Sequence, residues 1–496
     1  MTHKEAVETI ASIEREFDVT GLSFQGDRVW PLVRQRLWGR LINPHLHETQ
    51  LNPDFRRDVA FPLSDAGKRD LEAAGNRDVL FYAHPSDTRE TIHDRRCNPH
   101  LDPLIDLLPK DLTHCKIEPE EGQSFDRLLH PALPIKTRMQ VRGPFPGEPI
   151  AHFDELNRLI AARCPFSLDH DLVAKDALVV RAYRELFETV LDMINPQALF
   201  ETCYYHPPMN GLAQACRSRS IPCVDVQHGK QGRFHGAYTH WTFFPKDGWD
   251  MLPSHNWCWG EPTQCHIEQS RSGAVNADAA PKAVVGGFPW LGLWLNGKGP
   301  NSIPDVRRAR GLAQGRTAIL ATLQPAWELG PDTVIRAIRN SPREWIWFIR
   351  AHPKQKDRMA AFKAQLEAAV PGRYELEQAT RLPLYAMLRA SRCHVTAYST
   401  CCYEALYFNV PTVLWGERGL AIYGEAIKNN TFKHASTAEE IPQLITGLLG
   451  TPVANAETTH FIQTKSSVTS RALAEILRGP FPKTTNDEDL PWANQS

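Results

Sequence analysis

The sequence has 496 residues, a formal net charge of −1, and 42% hydrophobic and 23% charged residues. That length is too great for one hydrophobic core and predicts two large domains with additional terminal segments. The composition is ordinary for a globular protein, and the balanced charge gives no overall reason to expect a nucleic-acid or anionic-membrane partner.

Residues 1–75 are predicted to form an N-terminal helical segment with a long polar connection. Within it, residues 28–41 read RVWPLVRQRLWGRL, which is an amphipathic and basic helix pattern. This helix could pack on the first domain with its arginines in water. Alternatively, its Trp, Leu and Arg residues would suit docking on a membrane surface.

Residues 76–252 are predicted to form a Rossmann-like domain that binds the acceptor. Buried strands are predicted at 79–83, 198–202 and 222–226, and helices at 181–194 and 209–218. This alternation of strand and helix indicates a parallel sheet with right-handed crossovers. The segment 100–175, rich in proline, is an insertion whose fold the sequence does not specify.

Residues 253–479 are predicted to form a second Rossmann-like domain that binds a nucleotide donor. Its strands are predicted at 283–286, 317–322, 345–349, 393–396 and 412–415. Its helices are predicted at 333–339, 358–369, 384–390 and 401–408. A last helix, at 458–477, is expected to return across the first domain, and residues 480–496 are predicted to be a disordered tail.

Two histidines follow predicted strands. Val224-Asp225-Val226 runs into Gln227-His228-Gly229, and Trp345–Ile349 runs into Arg350-Ala351-His352-Pro353. Because the carboxyl ends of parallel strands form the ligand-binding edge of such sheets, one histidine is expected on each wall of a central cleft. Arg350, Lys354 and Lys356 add positive charge to the second loop, which would suit a phosphate or diphosphate, although a His-Pro turn with solvated lysines would read similarly.

A hydroxyl pair precedes the helix predicted to begin at about Cys401. Ser399 and Thr400, together with the free backbone N–H groups of the helix N-terminus, could bind phosphate. Glu404 lies one turn into that helix, where it could accept hydrogen bonds from ribose hydroxyls. The alternative is purely structural, with Ser399 or Thr400 as an N-cap and Glu404 as a first-turn acid that favours the helix dipole.

Taken in order, these motifs resemble those of two-Rossmann-domain (GT-B) glycosyltransferases that build bacterial surface polysaccharides. The resemblance is to the teichoic-acid glycerophosphotransferases, the capsule Kdo transferases and the bacterial polysialyltransferases, and it covers about residues 195–450. The matching segments are Gln227-His228-Gly229, Trp259-Gly260, Val285-Gly286-Gly287-Phe288-Pro289, Thr322-Leu323-Gln324-Pro325-Ala326-Trp327, Ala351-His352-Pro353, Ser399-Thr400, Glu404-Ala405-Leu406 and Pro411.

The resemblance implies that His228 is the catalytic base, that His352 contacts donor phosphate, and that Ser399, Thr400 and Glu404 bind the nucleotide. Ala397-Tyr398-Ser399-Thr400 stands where the glycerophosphotransferases usually have Asp-Tyr-Ser-Ser, so the identity of the donor stays open. Lys246-Asp247-Gly248 partly matches an acid-Asp-Gly motif of the Kdo enzymes, which makes Asp247 a rival base. Arg350, His352, Lys354 and the helix dipole would replace a metal at the leaving group.

The sequence therefore predicts a base-assisted, metal-independent glycosyltransferase with no resident cofactor. Its partners would be a nucleotide-sugar donor as substrate and a glycan or lipid-linked acceptor, and no nucleic acid. Alternatives are a CDP-glycerol-type glycerophosphotransferase, a nucleotide-sugar 2-epimerase, whose N-terminal acid set cannot be located here, and a non-catalytic polysaccharide-precursor binding or assembly protein.

The polar start of the chain and the absence of a long apolar run predict a cytoplasmic protein, with peripheral contact to the inner membrane as an added option. The eleven cysteines are scattered without a C-x-x-C pair, so they are expected to be reduced and mostly buried.

Overall fold

The chain folds into two compact α/β units, each with its own parallel sheet. The structure, a computed structural model, describes residues 1–477 except 44–56, 85–86, 89, 93–94, 121–123, 138–139, 145–148, 296–301, 325–328, 353–354, 356–357, 451–452 and 454–460. Of the described residues, the first unit contains Met1–Glu90, the chain from residue 95 to Gly287, and Lys465–Leu477, and the second contains Thr91–Ile92 and Phe288–Thr464. The predicted disordered tail, 480–496, lies outside the described residues.

The strands that precede residue 288 are β1 (Ser23–Phe24), β2 (Asp27–Arg28), β3 (Arg57–Ala60), β4 (Val79–Tyr82), β5 (Glu90–Ile92), β6 (Arg95–Cys97), β7 (His114–Pro119), β8 (Leu133–Ile135), β9 (Gln140–Pro144), β10 (Ala198–Glu201), β11 (Cys223–Val226), β12 (His255–Cys258) and β13 (Lys282–Val285). The helices there are α1 (His3–Glu16), α2 (Trp30–Ile42), α3 (Asp65–Ala74), α4 (Asp102–Asp106), α5 (Phe153–Ala161), α6 (His170–Ile194), α7 (Pro207–Ser218) and α8 (Glu261–Gln269).

The central sheet of the first unit is parallel, with the strand order β13-β12-β11-β10-β4-β7-β8. Strands β4, β10 and β11 are buried along their whole length, as expected for a sheet covered on both faces. Since all strands run the same way, β10, β11 and β12 end at the same edge, and this edge carries the candidate site.

Segment 100–175, which the sequence left unassigned, completes this unit. Strands β7 and β8 extend the central sheet beyond β4, and β9 pairs with β3 in a separate antiparallel ribbon. Helix α6 begins earlier than the predicted residue 181, because Asp169 caps it by accepting hydrogen bonds from the backbone N–H groups of Asp171 and Leu172.

The N-terminal helices are part of the first unit's core. Helix α2 buries Trp30, Leu37 and other apolar residues. Arg34 is 1% exposed; its Nε lies 2.8 Å from Glu14 Oε1, and its Nη2 donates to the carbonyls of Thr239 and of the following residue. The helix therefore packs on the first domain, as the first alternative predicts, although Arg34 is buried and not in water.

The elements of the second unit follow. Its helices are α9 (Pro289–Leu295), α10 (Ser302–Ala313), α11 (Pro331–Arg339), α12 (Met359–Ala369), α13 (Glu377–Arg381), α14 (Leu384–Ala390), α15 (Cys401–Tyr407), α16 (Gly416–Lys428) and α17 (Glu440–Leu448). Its strands are β14 (Thr317–Thr322), β15 (Trp345–Arg350), β16 (Tyr374–Glu375), β17 (Cys393–Thr396), β18 (Thr412–Trp415) and β19 (Lys433–Ala435).

The second sheet is also parallel, with the order β16-β15-β14-β17-β18-β19. Its core is made of apolar residues from β14, β15 and β17 and from the helices that cover them. Thr322 is aligned with Arg350 on one side and with Thr396 on the other, so the loops that follow these three strands are neighbours.

The predicted boundary between residues 252 and 253 is wrong, because β12 and β13 belong to the first sheet. Val224 is aligned with His255, and the ladder continues into β13. The fully buried Trp257 donates from Nε1 to the carbonyl of Gly287 at 2.9 Å, and a Cβ on Gly286 would lie 1.9 Å from its ring. The break between the units therefore follows Gly287.

The last described helix, α18 (Ser466–Leu477), packs on the first unit. Ala472, Leu473 and Ile476 lie in the same apolar cluster as the strands of the first sheet, and Thr469 Oγ1 donates to the carbonyl of Gly286 at 2.7 Å. The predicted return of the chain to the first domain is thus seen in this helix. Among the described residues, none of the helices combines the length and the hydropathy needed to cross a bilayer.

Candidate functional site

His228 lies where the sequence places it, in the turn after β11. Its side chain is half-buried, and its Nε2 lies 3.3 Å from the phenol oxygen of Tyr205, which follows β10. The two rings are 6.1 Å apart. Two neighbouring strands of the sheet therefore deliver a histidine and a tyrosine to one point of its carboxyl edge.

Gln227 fixes the turn that carries His228. Its side chain is 2% exposed; Oε1 accepts a hydrogen bond from the backbone N–H of Trp259 at 2.6 Å, and Nε2 donates to the carbonyl of Gly229 at 2.8 Å. The amide thereby ties the loop after β11 to the loop after β12. Within the Gln-His-Gly motif, Gln227 therefore has a structural role, whereas His228 is the residue that can take part in chemistry.

His100 is a second histidine of the site that the sequence did not reveal. Its ring stands perpendicular to that of His228, with 6.4 Å between the centroids, and it stacks on Trp259 at 6.3 Å. The loop that carries it is anchored from below by a buried ion pair, in which Lys116 Nζ lies 2.7 Å from Asp102 Oδ1. No sequence signal could have found His100, because it lies in the unassigned segment.

Two further histidines next to His228 are held in the neutral form. Burial, with smaller contributions from the charges of His84 and His228, lowers the pKa of His206 to about 4. Burial and the charge of His228 lower the pKa of His235 to about 3. Near neutral pH these imidazoles can donate or accept hydrogen bonds, but they add no positive charge to the site.

A buried carboxyl pair lies beneath the loop that carries Tyr205. Glu201 and Asp225 are aligned on adjacent strands. Asp225 accepts hydrogen bonds from Tyr238 Oη at 2.7 Å and from the backbone N–H of Tyr204 at 3.3 Å. Burial raises the pKa of Asp225 to about 7, and burial and the charge of Asp225 raise the pKa of Glu201 well above its usual range. Glu201 therefore keeps its proton at neutral pH, and Asp225 holds the loop.

Asp247, the rival base, lies in a different setting. Its side chain is 69% exposed, and its two carboxylate oxygens accept hydrogen bonds from Arg28 at 2.9 and 3.0 Å. The hydrogen bond from Arg28 lowers the pKa of Asp247. A carboxylate that is stabilised in its charged form is a weaker base, so these contacts favour His228 over Asp247.

The equivalent edge of the second unit is organised by another glutamine. Gln324 follows β14 and is 3% exposed. Its Nε2 donates to Thr396 Oγ1 at 2.7 Å and to the carbonyl of Thr322 at 3.0 Å, and its Oε1 accepts from the backbone N–H of Ala397 at 3.1 Å. Gln355 Nε2 donates to the carbonyl of Gln324 at 2.6 Å, which joins a third loop to the first two.

The predicted hydroxyl pair lies at the start of α15. Ser399 Oγ accepts a hydrogen bond from the backbone N–H of Cys401 at 3.3 Å, whereas the side chain of Thr400 makes no capping bond. Tyr423 Oη contacts the carbonyls of residue 398 and Ser399, each at 3.1 Å. Arg418, which the sequence did not single out, lies 4.5 Å from the ring of Tyr398 and brings a positive charge next to this loop.

Glu404 is buried in α15 and accepts a hydrogen bond from the phenol of Tyr385. Burial raises the pKa of the Cys401 thiol to about 12, with a smaller raising contribution from the charge of Glu404 and a lowering one from Arg350. Arg350 and the loop that leads to α15 lie at the same edge of the second sheet, because the ends of β15 and β17 both flank the end of β14. Nucleotide binding by these residues stays a prediction.

Arg350 is the last residue of β15, and His352 lies in the loop that follows it. Arg350 Nη1 donates to the carbonyls of Ala379, at 3.0 Å, and Leu382, so its guanidinium is fixed by the backbone around α13. The backbone N–H of His352 donates to Gln355 Oε1 at 2.9 Å. Lys354 lies outside the described residues.

Neither edge carries an obvious metal centre. Within the described ranges, no group of three or more His, Cys, Asp and Glu side chains is arranged to hold an ion, and this includes the histidines around His228. Most of the cysteines are buried, and each of the eleven is a free thiol.

Comparison with known proteins shows similarity of structure only. No protein-family model and no curated protein matches the sequence. The UDP-GlcNAc 2-epimerase of Methanocaldococcus jannaschii, solved with UDP-GlcNAc and UDP, is 12% identical and aligns over 81% of this chain and 100% of its own, with a TM-score of 0.51. This likeness and the two parallel sheets confirm the predicted fold class, two Rossmann-like domains of the GT-B type.

Two other solved structures align over similar lengths with lower scores. The UDP-GlcNAc 2-epimerase of Neisseria meningitidis, bound to UDP-GlcNAc, is 11% identical over 81% of this chain and 99% of its own, with a TM-score of 0.46. An α,α-trehalose 6-phosphate synthase of Burkholderia multivorans is 12% identical over 81% of this chain and 98% of its own, with a TM-score of 0.44.

Proposed function

We propose that the chain is a nucleotide-sugar-dependent glycosyltransferase that acts on a surface-polysaccharide or glycolipid acceptor. The observation that carries the proposal is the setting of His228. This histidine stands in a turn fixed by Gln227, at the carboxyl edge of a parallel sheet, with its Nε2 3.3 Å from the Tyr205 phenol. A histidine held in this way, at the edge where α/β sheets bind ligands, is suited to act as a general base.

In the proposed reaction His228 removes the proton of the acceptor hydroxyl. The acceptor oxygen then forms a bond to the anomeric carbon of the donor sugar, while the bond from that carbon to the phosphate oxygen breaks. The electron pair of the broken bond leaves with the nucleotide phosphate, and His228 holds the proton. Base catalysis of this kind contributes roughly 10²–10⁴-fold to a rate.

The donor is proposed to bind at the carboxyl edge of the second unit. The support is that the ends of β14, β15 and β17 are neighbours. These ends place Arg350 beside the segment that carries Ser399, Thr400 and, in α15, Glu404, and Gln324 joins the segments after β14 and β17. Arg350 donates to neutral carbonyl oxygens, so its positive charge is oriented but not neutralised by them. That charge, with those proposed for His352 and Lys354, would stabilise the departing phosphate.

A nucleotide-sugar 2-epimerase is the second candidate. The observation that favours it is the structural likeness to the M. jannaschii enzyme, whose crystals contain UDP-GlcNAc and UDP. Epimerisation differs from transfer in its products, because it needs no acceptor and converts one nucleotide sugar into another. The two activities are therefore separable in a single assay.

The test is incubation of the full chain with CMP-, UDP-, GDP- and CDP-linked donors, with and without short oligosaccharide acceptors. Nucleotide release that depends on an acceptor supports transfer. Conversion of the donor to its 2-epimer without acceptor, followed by NMR, would replace transfer with epimerisation. Binding of a donor with neither reaction would indicate a precursor-binding protein. His228→Ala is the control that links any release to the proposed base.

The proposed location is the cytoplasm, where nucleotide-sugar donors are available to a soluble enzyme. Because α2 is enclosed in the first unit, the proposed contact with the inner membrane runs through a lipid-linked acceptor and not through that helix.

A further inference from the structure

The phenol of Tyr205 lies next to Nε2 of the proposed base. The distance from its phenol oxygen to His228 Nε2 is 3.3 Å. Its ring packs against those of Tyr204, Tyr238 and His235, with centroid distances of 5.7, 5.8 and 5.4 Å. Tyr205 therefore places its phenol oxygen next to the imidazole while aromatic neighbours hold its ring.

The loop that carries Tyr205 is held from beneath. The backbone N–H of the preceding residue, Tyr204, donates to Asp225, and the Tyr204 hydroxyl donates to the carbonyl of Ala237. With the residue before it fixed at both its backbone and its side chain, Tyr205 has little freedom to move away from His228. Its contact with Nε2 is thus a property of the fold at this edge.

A phenol in this position can form a hydrogen bond with either protonation state of an imidazole. A hydroxyl group can donate one hydrogen bond and accept two, and its hydrogen can rotate between partners. When His228 becomes an imidazolium, Nε2 carries a proton that needs an acceptor. The phenol oxygen can then accept that proton's hydrogen bond while its own hydrogen rotates away from the imidazole. Burial raises the pKa of Tyr205 well above its usual range, so the phenol keeps its proton throughout.

We propose that Tyr205 is a positioning residue that stabilises the protonated form of His228 by accepting a hydrogen bond from its Nε2–H. This inference rests on the proposed role of His228 as the base. It adds that the positive charge His228 gains with the acceptor's proton is stabilised by the phenol oxygen of Tyr205.

Four other described groups near His228 are less suited to stabilise its positive charge. His206 and His235 have pKa values lowered to about 4 and about 3, and a neutral imidazole offers at most a dipole. His100 stands edge-on to the ring at 6.4 Å between centroids. Asp225 accepts hydrogen bonds from Tyr238 and Tyr204 and so helps to fix the loop. Its pKa is about 7, so its titration has to be distinguished from that of His228.

The test compares Tyr205→Phe with Tyr238→Phe in the full chain. Both substitutions remove one phenol oxygen from the same aromatic cluster, but only the first removes the partner of His228. We expect Tyr205→Phe to lower kcat roughly 10- to 100-fold, because a hydrogen bond to a charged group is lost, with a smaller effect on KM. Without this acceptor the imidazolium is less stable, so the acidic limb of the kcat/KM profile should move to lower pH by about one unit. Tyr238→Phe should leave that limb in place.

A measurement that does not require activity separates this inference from the proposed function. The pKa of His228 is followed by NMR on protein with isotopically labelled histidine, and its signal is assigned by its absence from His228→Ala. A lower pKa in Tyr205→Phe than in wild type supports the inference, and an unchanged pKa overturns it, as would an equal shift in Tyr238→Phe. Retention of transfer by His228→Ala would instead refute the role of the base, while the titration still tests the contact.

Discussion

The two candidate bases can be separated by one pair of substitutions. His228→Ala should lower kcat by roughly 10²–10⁴-fold, the range typical of a lost general base, and leave nucleotide affinity nearly unchanged. Asp247→Ala should leave kcat within about twofold. The reason is that Asp247 is bound through both carboxylate oxygens to Arg28, which lowers its pKa, whereas His228 stands at the ligand-binding edge of the sheet.

The structure indicates that neither substitution should unfold the protein. His228→Ala removes the hydrogen bond with Tyr205, which contributes about 0.5–1.5 kcal/mol to stability, while Gln227 still holds the turn. Asp247→Ala removes an exposed ion pair, worth about 0–1 kcal/mol. A 10²–10⁴-fold rate loss corresponds to about 2.7–5.4 kcal/mol of transition-state stabilisation. The kinetic effect of His228→Ala should therefore exceed its effect on folding.

The assay is the initial rate of nucleotide release at saturating donor and acceptor, with nucleotide affinity measured by calorimetry on the same preparations. Thermal melting of each variant checks that the fold is intact. Near-normal turnover by His228→Ala, together with an inactive but folded Asp247→Ala, would refute the assignment and transfer the role of base to Asp247.

Four further outcomes are expected. Arg34→Ala should lower the free energy of unfolding in urea by about 3–5 kcal/mol, because it removes the cationic partner of the buried Glu14 carboxyl and leaves only the hydrogen bonds from Trp30 and Thr242, and a loss below about 1 kcal/mol would contradict this. The folded-state pKa of Asp225, about 7, lies above its ordinary value of 3.8. The free energy of unfolding of the wild type should therefore fall as pH rises from 3.8 to about 7, and the melting temperature of Asp225→Asn should depend less on pH over the same range. EDTA should leave the transfer rate within about twofold, whereas His352→Ala should weaken donor binding and slow transfer; activity lost in EDTA and restored by Mg²⁺ or Mn²⁺ would overturn this prediction. A folded fragment of residues 288–464 should bind the free nucleotide by calorimetry, and no detectable binding would count against donor binding by this unit alone.

The elements of both sheets were largely predictable, but their grouping was not. Strands such as β14 and β17 are short apolar runs whose limits the sequence predicts, because burial on both faces leaves a local pattern. Membership of a sheet depends on contacts with distant residues. The pattern at 255–258 is equally compatible with either unit, and the ladder with β11 and the fit of Trp257 over Gly286 decide the matter. A nucleotide-binding fragment cut at residue 252 would therefore carry two strands of the other sheet.

The candidate site was predictable where a chemical side chain directly follows a strand. His228, Arg350 and His352 were found in this way. Tyr205 also comes soon after a strand, because β10 ends at Glu201. A tyrosine indicates a chemical role less clearly than a histidine does, so its position alone did not single it out. His100 had no comparable signal, because it lies in segment 100–175, whose fold the sequence does not specify.

Gln227 and Gln324 have the same structural role, each at the carboxyl edge of its own sheet. Gln227 and Gln324 each follow a central strand, each is almost fully buried, and each accepts a hydrogen bond from the first backbone N–H beyond a neighbouring strand, at Trp259 and Ala397. An amide can donate and accept at once, so one side chain satisfies two loops that would otherwise bury unpaired groups. Within these motifs the glutamine fixes the loop, and the residues beside it are presented to the ligand. Gln227→Leu should therefore displace the His228 loop and impair catalysis without removing a reacting group.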